Sequence, residues 1–154
     1  MKKMLISLLA LLTLGAFALA EAPYASVRLE FEDGFALSLP ADWVSYAVTP
    51  EQADAGYLYC LGSADGARLM YIQRWNTDCA DMGELRAALE DRDEIILRSD
   101  GDESAFLMYN FAEQDCSGCV TLLDGSILNL IFLPQSDAEN MMIAATILES
   151  YEAL

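Results

Sequence analysis

Few residue types in this chain are equipped for chemistry, and those with suggestive spacing are cysteines. Cys116-Ser-Gly-Cys119 has the CxxC spacing of a redox dithiol or of half a zinc site, and Cys60 and Cys79 complete a set of four. A redox pair needs a helix N-terminus or a neighbouring cation to lower the thiol pKa. The segment that follows, from Val120 to Leu133, reads instead as two strands around Asp124-Gly125. Zinc needs a second close pair, and Cys60 and Cys79 stand 19 positions apart. Four cysteines in an oxidising compartment fit two structural disulfides. Cys60 with Cys79 and Cys116 with Cys119 are the expected bonds, among three possible connectivities.

What the chain lacks excludes more. It has no histidine, and Lys2 and Lys3 are its only lysines. Ser-His-Asp and Cys-His catalysis, histidine metal ligation, Schiff-base chemistry and the P-loop lysine are all ruled out. Ser38, Ser117 and Ser126 therefore have no histidine or lysine base. Two carboxylates can serve as acid and base in glycoside hydrolysis, but with 25 acidic residues some pair always fits, so the signal has little specificity. Acid is densest from Asp78 to Glu103, with ten carboxylates in 26 residues. Asp100-Gly-Asp-Glu103 lacks the spaced ligand series of a calcium loop, so the run is read as a solvated, repulsive face. No cofactor and no metal is expected. Trp43 and Trp75 are candidate binding aromatics; Trp43 is expected to pack as a core residue at a strand end, whereas Trp75, which closes a strand next to Asn76-Thr-Asp78, is left open between core and surface. Met141 is placed on a core face and Met142 outward.

The compartment comes from the N-terminus. Lys2 and Lys3 precede an uncharged, mainly apolar run from Met4 to Ala20 that ends Ala18-Leu19-Ala20, an A-x-A cleavage site. Residues 1–20 are read as a signal peptide of bacterial type and residues 21–154 as one mature domain, periplasmic, surface-associated or released, with no stable membrane insertion after cleavage. The whole chain of 154 residues carries a net charge of −17. Cleavage removes both lysines and no acid, which leaves six arginines against 25 acids, or −19. Nucleic acid is an improbable partner for such a surface.

The elements that must position these residues are mostly strands framed by turns. Val27–Phe31 and Phe35–Leu39 flank Asp33-Gly34, a hairpin signal. Trp43–Val48 is extended, and Thr49-Pro-Glu-Gln52 supplies an N-cap, a first-turn proline and a capping-box glutamine for a short helix to Asp54. Tyr57–Leu61 and Ala67–Trp75 enclose Ser63-Ala-Asp-Gly66 as a second hairpin. Asp81 to Glu84 is another capping box, opening a helix over Met82–Asp91 with Leu85, Ala88 and Leu89 as its apolar stripe. Glu94–Arg98, Ser104–Phe111, Gly118–Leu123 and Ser126–Leu133 read as a meander with turns at Asp100-Gly101, near the CxxC, and at Asp124-Gly125. Ile127 and Ile131 fall on one face of the last strand and Leu128, Leu130 and Phe132 on the other, so both sheet faces are covered there. Ser136 to Glu139 is a third capping box, and the helix after it directs Met141, Ala144, Ile147, Leu148 and Tyr151 to one side. The pattern predicts an α+β domain, a central antiparallel sheet with helices packed on it.

Gly34-Phe-Ala-Leu-Ser-Leu-Pro-Ala-Asp-Trp43 resembles the opening of Mog1/PsbP-like domains, and the run from Asp124 to Pro134 with the closing Ala-Thr-Ile-Leu-Glu-Ser-Tyr151 resembles their last strand pair and helix. The resemblance spans Val27 to Tyr151 and implies an α/β/α sandwich used mostly for binding. Members of that family serve as a partner of a nuclear small GTPase, as an extrinsic photosystem II subunit and as secreted bacterial envelope proteins. The histidine ligands of the photosynthetic members have no counterpart here, and the CxxC is a departure. A shared fold does not confer a shared function. The expectation is a secreted, non-catalytic binding or accessory domain whose partner is a protein or a cell-envelope component. A thiol-disulfide protein using Cys116 and Cys119 is the alternative, and a small carboxylate hydrolase a lesser one.

Overall fold

The structure is a computed structural model and describes residues 24–90, 95–98, 105–110, 115–122, 124–134 and 138–154. Residues 1–20, read from the sequence as a signal peptide, the turn expected at Asp100-Gly101 and the capping residue expected at Ser136 lie outside the described residues. The described chain forms an α+β fold with two antiparallel sheets. A three-stranded sheet has the order β1-β2-β10, from β1 (Ser26–Phe31), β2 (Phe35–Pro40) and a two-residue β10 (Glu152–Ala153) that the sequence pattern does not announce. A seven-stranded sheet has the order β3-β4-β5-β9-β8-β7-β6. Its strands are β3 (Trp43–Tyr46), β4 (Tyr57–Ser63), β5 (Leu69–Trp75), β6 (Ile95–Arg98), β7 (Ala105–Asn110), β8 (Asp115–Thr121) and β9 (Ile127–Leu133).

Local chemistry sets the helix starts. Thr49 Oγ1 accepts from the Gln52 N–H at 3.3 Å while the Gln52 side chain accepts from the Thr49 N–H at 2.9 Å, so the expected capping box opens α1 (Pro50–Asp54). Asp81 accepts from the Glu84 N–H at 2.8 Å, and Glu84 reaches one residue past the cap to accept from the Ala80 N–H. This box opens α2 (Met82–Glu90), whose buried residues are Met82, Leu85 and Leu89, with Ala88 exposed. The last helix, α3 (Ala138–Glu149), buries Asn140, Ile143, Ala144, Ile147 and Leu148.

Strand alternation divides the large sheet into two differently covered faces. Met70 and Ile72 of β5, Val120 of β8 and Leu128, Leu130 and Phe132 of β9 join Phe35, Leu37 and Leu39 of β2 and the buried residues of α3 in the main core. Phe31 stacks on Phe35 with centroids 4.4 Å apart and meets Tyr59 edge-on at 4.9 Å, which docks the small sheet on the large one. On the opposite face, Met82, Leu85 and Leu89 of α2 close over Cys119 and Ile127, with Trp75 and Cys79 packed at the margin. Full burial of such side chains stabilises by about 1.5–3 kcal/mol each.

The clearest departure from the sequence pattern is β8. It begins at Asp115, three residues before the expected start at Gly118, and takes in the whole CxxC, where a turn was expected nearby. Tertiary packing decides this. A Cβ on Gly118 would overlap Leu148 Cδ1 and stand 2.8 Å from its Cγ, so the glycine serves the approach of α3 to the strand.

Candidate functional site

Cys60, Cys79 and Cys119 are free thiols, so neither expected disulfide is formed. For Cys116 and Cys119 the backbone accounts for it. Three steps along an extended strand separate Cα atoms by about 10 Å, beyond the ~7 Å that a disulfide spans. For the other pair the register accounts for it. Cys60 lies opposite Tyr71, four residues or about 13 Å before the end of β5, whereas Cys79 follows that end and packs against the cluster that holds Cys119.

Nor does the fold activate Cys119 or Cys60. Cys119 is fully buried beneath α2, and desolvation pushes its pKa up to about 12, the reverse of what a thiolate nucleophile requires. Burial raises Cys60 too, partly offset by a hydrogen bond with the Tyr71 side chain. The same face buries Ser117 and Asn129, and the Asn129 Oδ1 has no hydrogen-bond partner. Trp75 is half-buried and packs at the margin of the α2 cluster.

Trp43 stands differently. It opens β3 opposite Ser63 of β4 and packs partly on the main core. It also lines a groove of about 200 Å³ shared with Tyr24, Pro40, Arg68, Glu139 and Met142. The sequence reading of Trp43 as a core residue is thus half of the observed role. Met142 projects outward as expected and is 46% exposed, while Met141 packs on the core.

The groove is held by rigid parts. The Ser63–Gly66 turn is closed by the Gly66 N–H donating to Ser63 O at 2.8 Å and by the Arg68 N–H donating to Ser63 Oγ at 3.0 Å, with Gly66 at φ 71°. Tyr46 adds a 2.6 Å hydrogen bond from its hydroxyl to Ser63 O. Hydrogen bonds from the Ser63 hydroxyl and the Ala67 N–H hold the Asp65 carboxyl below its ordinary range. Where this turn ends, Arg68 reaches α3 and pairs with Glu139 at 2.6 Å. At the other wall the Tyr24 hydroxyl is buried without a hydrogen-bond partner, and desolvation pushes its pKa up to about 12. An aromatic and thioether surface with an ion pair on its rim is suited to holding an apolar group beside a polar one.

One network escaped the sequence reading. Asp33, in the first hairpin turn, accepts from the Tyr59 hydroxyl at 2.8 Å and from Arg74 at 3.0 Å. Arg74 also donates to Ser126 at 3.1 Å and lies 3.9 Å from Asp124. Asp33 and Asp124 are each the Asp of an Asp-Gly turn; the sequence marks the turns but not their meeting at Arg74. This cluster ties the small sheet to the β8–β9 turn, and burial with the Asp33 hydrogen bond pushes Tyr59 up to about 12. Among the described residues, no group of three or more His, Cys, Asp or Glu side chains is placed to hold a metal ion. None of the described helices is long and apolar enough to cross a membrane. Comparison with protein-family models and with curated proteins returns no match to this chain.

Proposed function

We propose that this chain is a secreted, non-catalytic binding or accessory domain of the Mog1/PsbP-like type, with its sheet as the middle layer of an α/β/α sandwich. Its working surface is the Trp43 groove, and its partner is a protein or envelope component that presents an apolar side chain next to a polar one. The observation that carries this is the composition of the groove: Trp43 of β3, Met142 of α3 and Tyr24 just before β1 stand beside the Arg68–Glu139 pair. Trp, Tyr and Arg are the residues that most often dominate binding energy when clustered in a shaped pocket. The order of the Gly34 to Trp43 motif, the Asp124 to Pro134 strand pair and the closing helix supports the family reading. Burial of Cys119 counts against thiol chemistry as the primary role.

Site-specific photo-crosslinking tests this. A crosslinker at Met142, exposed at the groove mouth, is expected to give a discrete adduct in envelope extracts of the producing cells. The adduct should be lost on Trp43→Ala and absent when the crosslinker replaces Arg86 on α2. Equal adducts from both positions, or an adduct indifferent to Trp43→Ala, would overturn the proposal.

A further inference from the structure

Among the described residues, the strand Ser26-Val-Arg-Leu-Glu-Phe31 is paired on one side only. Within its sheet β1 is bonded to β2 and lies at the edge, and five of its six residues are exposed. Val27 and Leu29 share a face with Phe31 and stand opposite Leu39 and Leu37, which are buried, yet they remain 47% and 38% exposed. They carry the apolar face of the small sheet past its cover. An edge strand of this kind is a template for another strand.

Backbone geometry fixes which peptide groups face outward. The Ala41 N–H donates to Ala25 O, and the hairpin closes with the Gly34 N–H donating to Phe31 O. In an antiparallel pair the bonded positions alternate, so Ala25, Val27, Leu29 and Phe31 direct their groups at β2. Two observations agree. Pro40, opposite Ser26, has no N–H to give, and the Ser38 N–H, opposite Arg28, donates instead to Ser150 Oγ at 2.8 Å. Ser26, Arg28 and Glu30 therefore present their N–H and C=O groups to the free edge.

A second β1, laid antiparallel so that outward groups meet, has four registers that overlap over at least half of the strand. Centred on Val27 it sets Ser26 against Arg28 and leaves Glu30 without a charged partner. Centred on Arg28 it sets arginine against arginine; centred on Glu30, glutamate against glutamate. Centred on Leu29 it sets Arg28 of each chain against Glu30 of the other, Leu29 against Leu29 and Val27 against Phe31. Only this register is complementary in charge, and it covers Val27 and Leu29. Like any antiparallel self-pairing it is two-fold symmetric, as a closed dimer requires.

We propose that β1 pairs with β1 of a second copy of this chain, joining the two small sheets into one continuous sheet of order β10-β2-β1-β1-β2-β10. Arg28 is already held on that face, between Glu30 at 2.5 Å and Glu152 at 2.8 Å, and so is set to meet the second chain's Glu30. The pairing is independent of the Trp43 groove.

Sedimentation velocity on the purified protein is the test. A dimer should form at concentrations on the order of 100 µM or below. Arg28→Glu and Glu30→Arg each set like charges opposite one another twice, and each should weaken the dimer by about tenfold or more. Mixing those two variants restores both attractive pairs and should return a heterodimer, and the double charge swap in one chain should dimerise like the parent. Leu29→Lys should give a monomer with unchanged circular dichroism. A parent protein that stays monomeric, including one that pairs only with some other extended peptide, would overturn the proposal, as would a dimer that survives all these variants.

Discussion

The CxxC strand and the Trp43 groove invert what their residue types suggest. Cys119 belongs to a residue type with reactive chemistry, yet it lies in a central strand under α2 with its thiol protonated well past neutrality. Trp43 belongs to a type that normally ends in the core, yet it keeps one side open at the junction of two sheets and a helix. The difference is positional. A residue in the middle of a sheet covered on both faces is consumed by packing, whereas one at a strand end is exposed to whatever the layers leave between them.

The sharpest way to break this contrast is at Gly118. If the CxxC serves packing, Gly118→Ala forces a methyl group into Leu148 and should cost about 2–3 kcal/mol of stability in urea unfolding. A loss well under half of that would mean the strand is looser than the contact implies. Cys119→Ser comes next. It removes a packed sulfur and places a hydroxyl in a fully buried site, opposite Asn129, whose Oδ1 lacks a donor, and should cost about 1–2 kcal/mol, without lowering the yield of Met142 crosslinks. Alkylation of native protein sharpens the same contrast: Cys79, partly exposed, should label at neutral pH, while Cys60 and Cys119 should label only on unfolding. Rapid labelling of Cys119 in the folded protein would restore the redox reading.

The smallest effects belong to the groove wall. The Tyr24 hydroxyl is buried without a partner, so Tyr24→Phe should be neutral or stabilising by about 0.5–1 kcal/mol. Its pH dependence has a definite sign. The folded pKa of about 12 exceeds the ordinary 10.0 because burial favours the neutral phenol. This contribution is therefore fully present below pH 10 and lost as pH rises toward 12. The melting temperature should fall across that window, and fall less in Tyr24→Phe; an equal fall in both would place the titrating group elsewhere.

How much of this was legible in the sequence depends on how local the cause is. The Asp33-Gly34 hairpin, the Thr49 and Asp81 caps and the two-sided apolar pattern of β9 each rest on neighbours within a few residues, and all were readable. The extent of β8 was not, because Ser117-Gly118 has turn chemistry and its strand conformation rests on pairing with β7 and β9, with Leu148 packed where a side chain at Gly118 would stand. Both disulfide pairings failed for a related reason. Spacing in sequence placed Cys116 beside Cys119, and an extended backbone pulled them apart. For the groove, Trp43 was singled out but Tyr24, Arg68 and Glu139 were not, since only the meeting of the first hairpin, the second hairpin and α3 brings them together. Asn140 on the buried side of α3 was likewise missed; its amide donates to Pro134 O at 2.9 Å, a bond that no helical periodicity reveals.

The central claim is that packing and binding are carried by different residues, and one crossed measurement tests it most directly. Unfolding free energy and Met142 crosslink yield would be read together for Trp43→Ala and Cys119→Ser. Trp43→Ala should lose the adduct and retain most of its stability, because the side chain is only half-buried. Cys119→Ser should lose stability and retain the adduct. The opposite pattern, in which the cysteine variant abolishes the adduct at full stability and the tryptophan variant keeps it, would contradict the account.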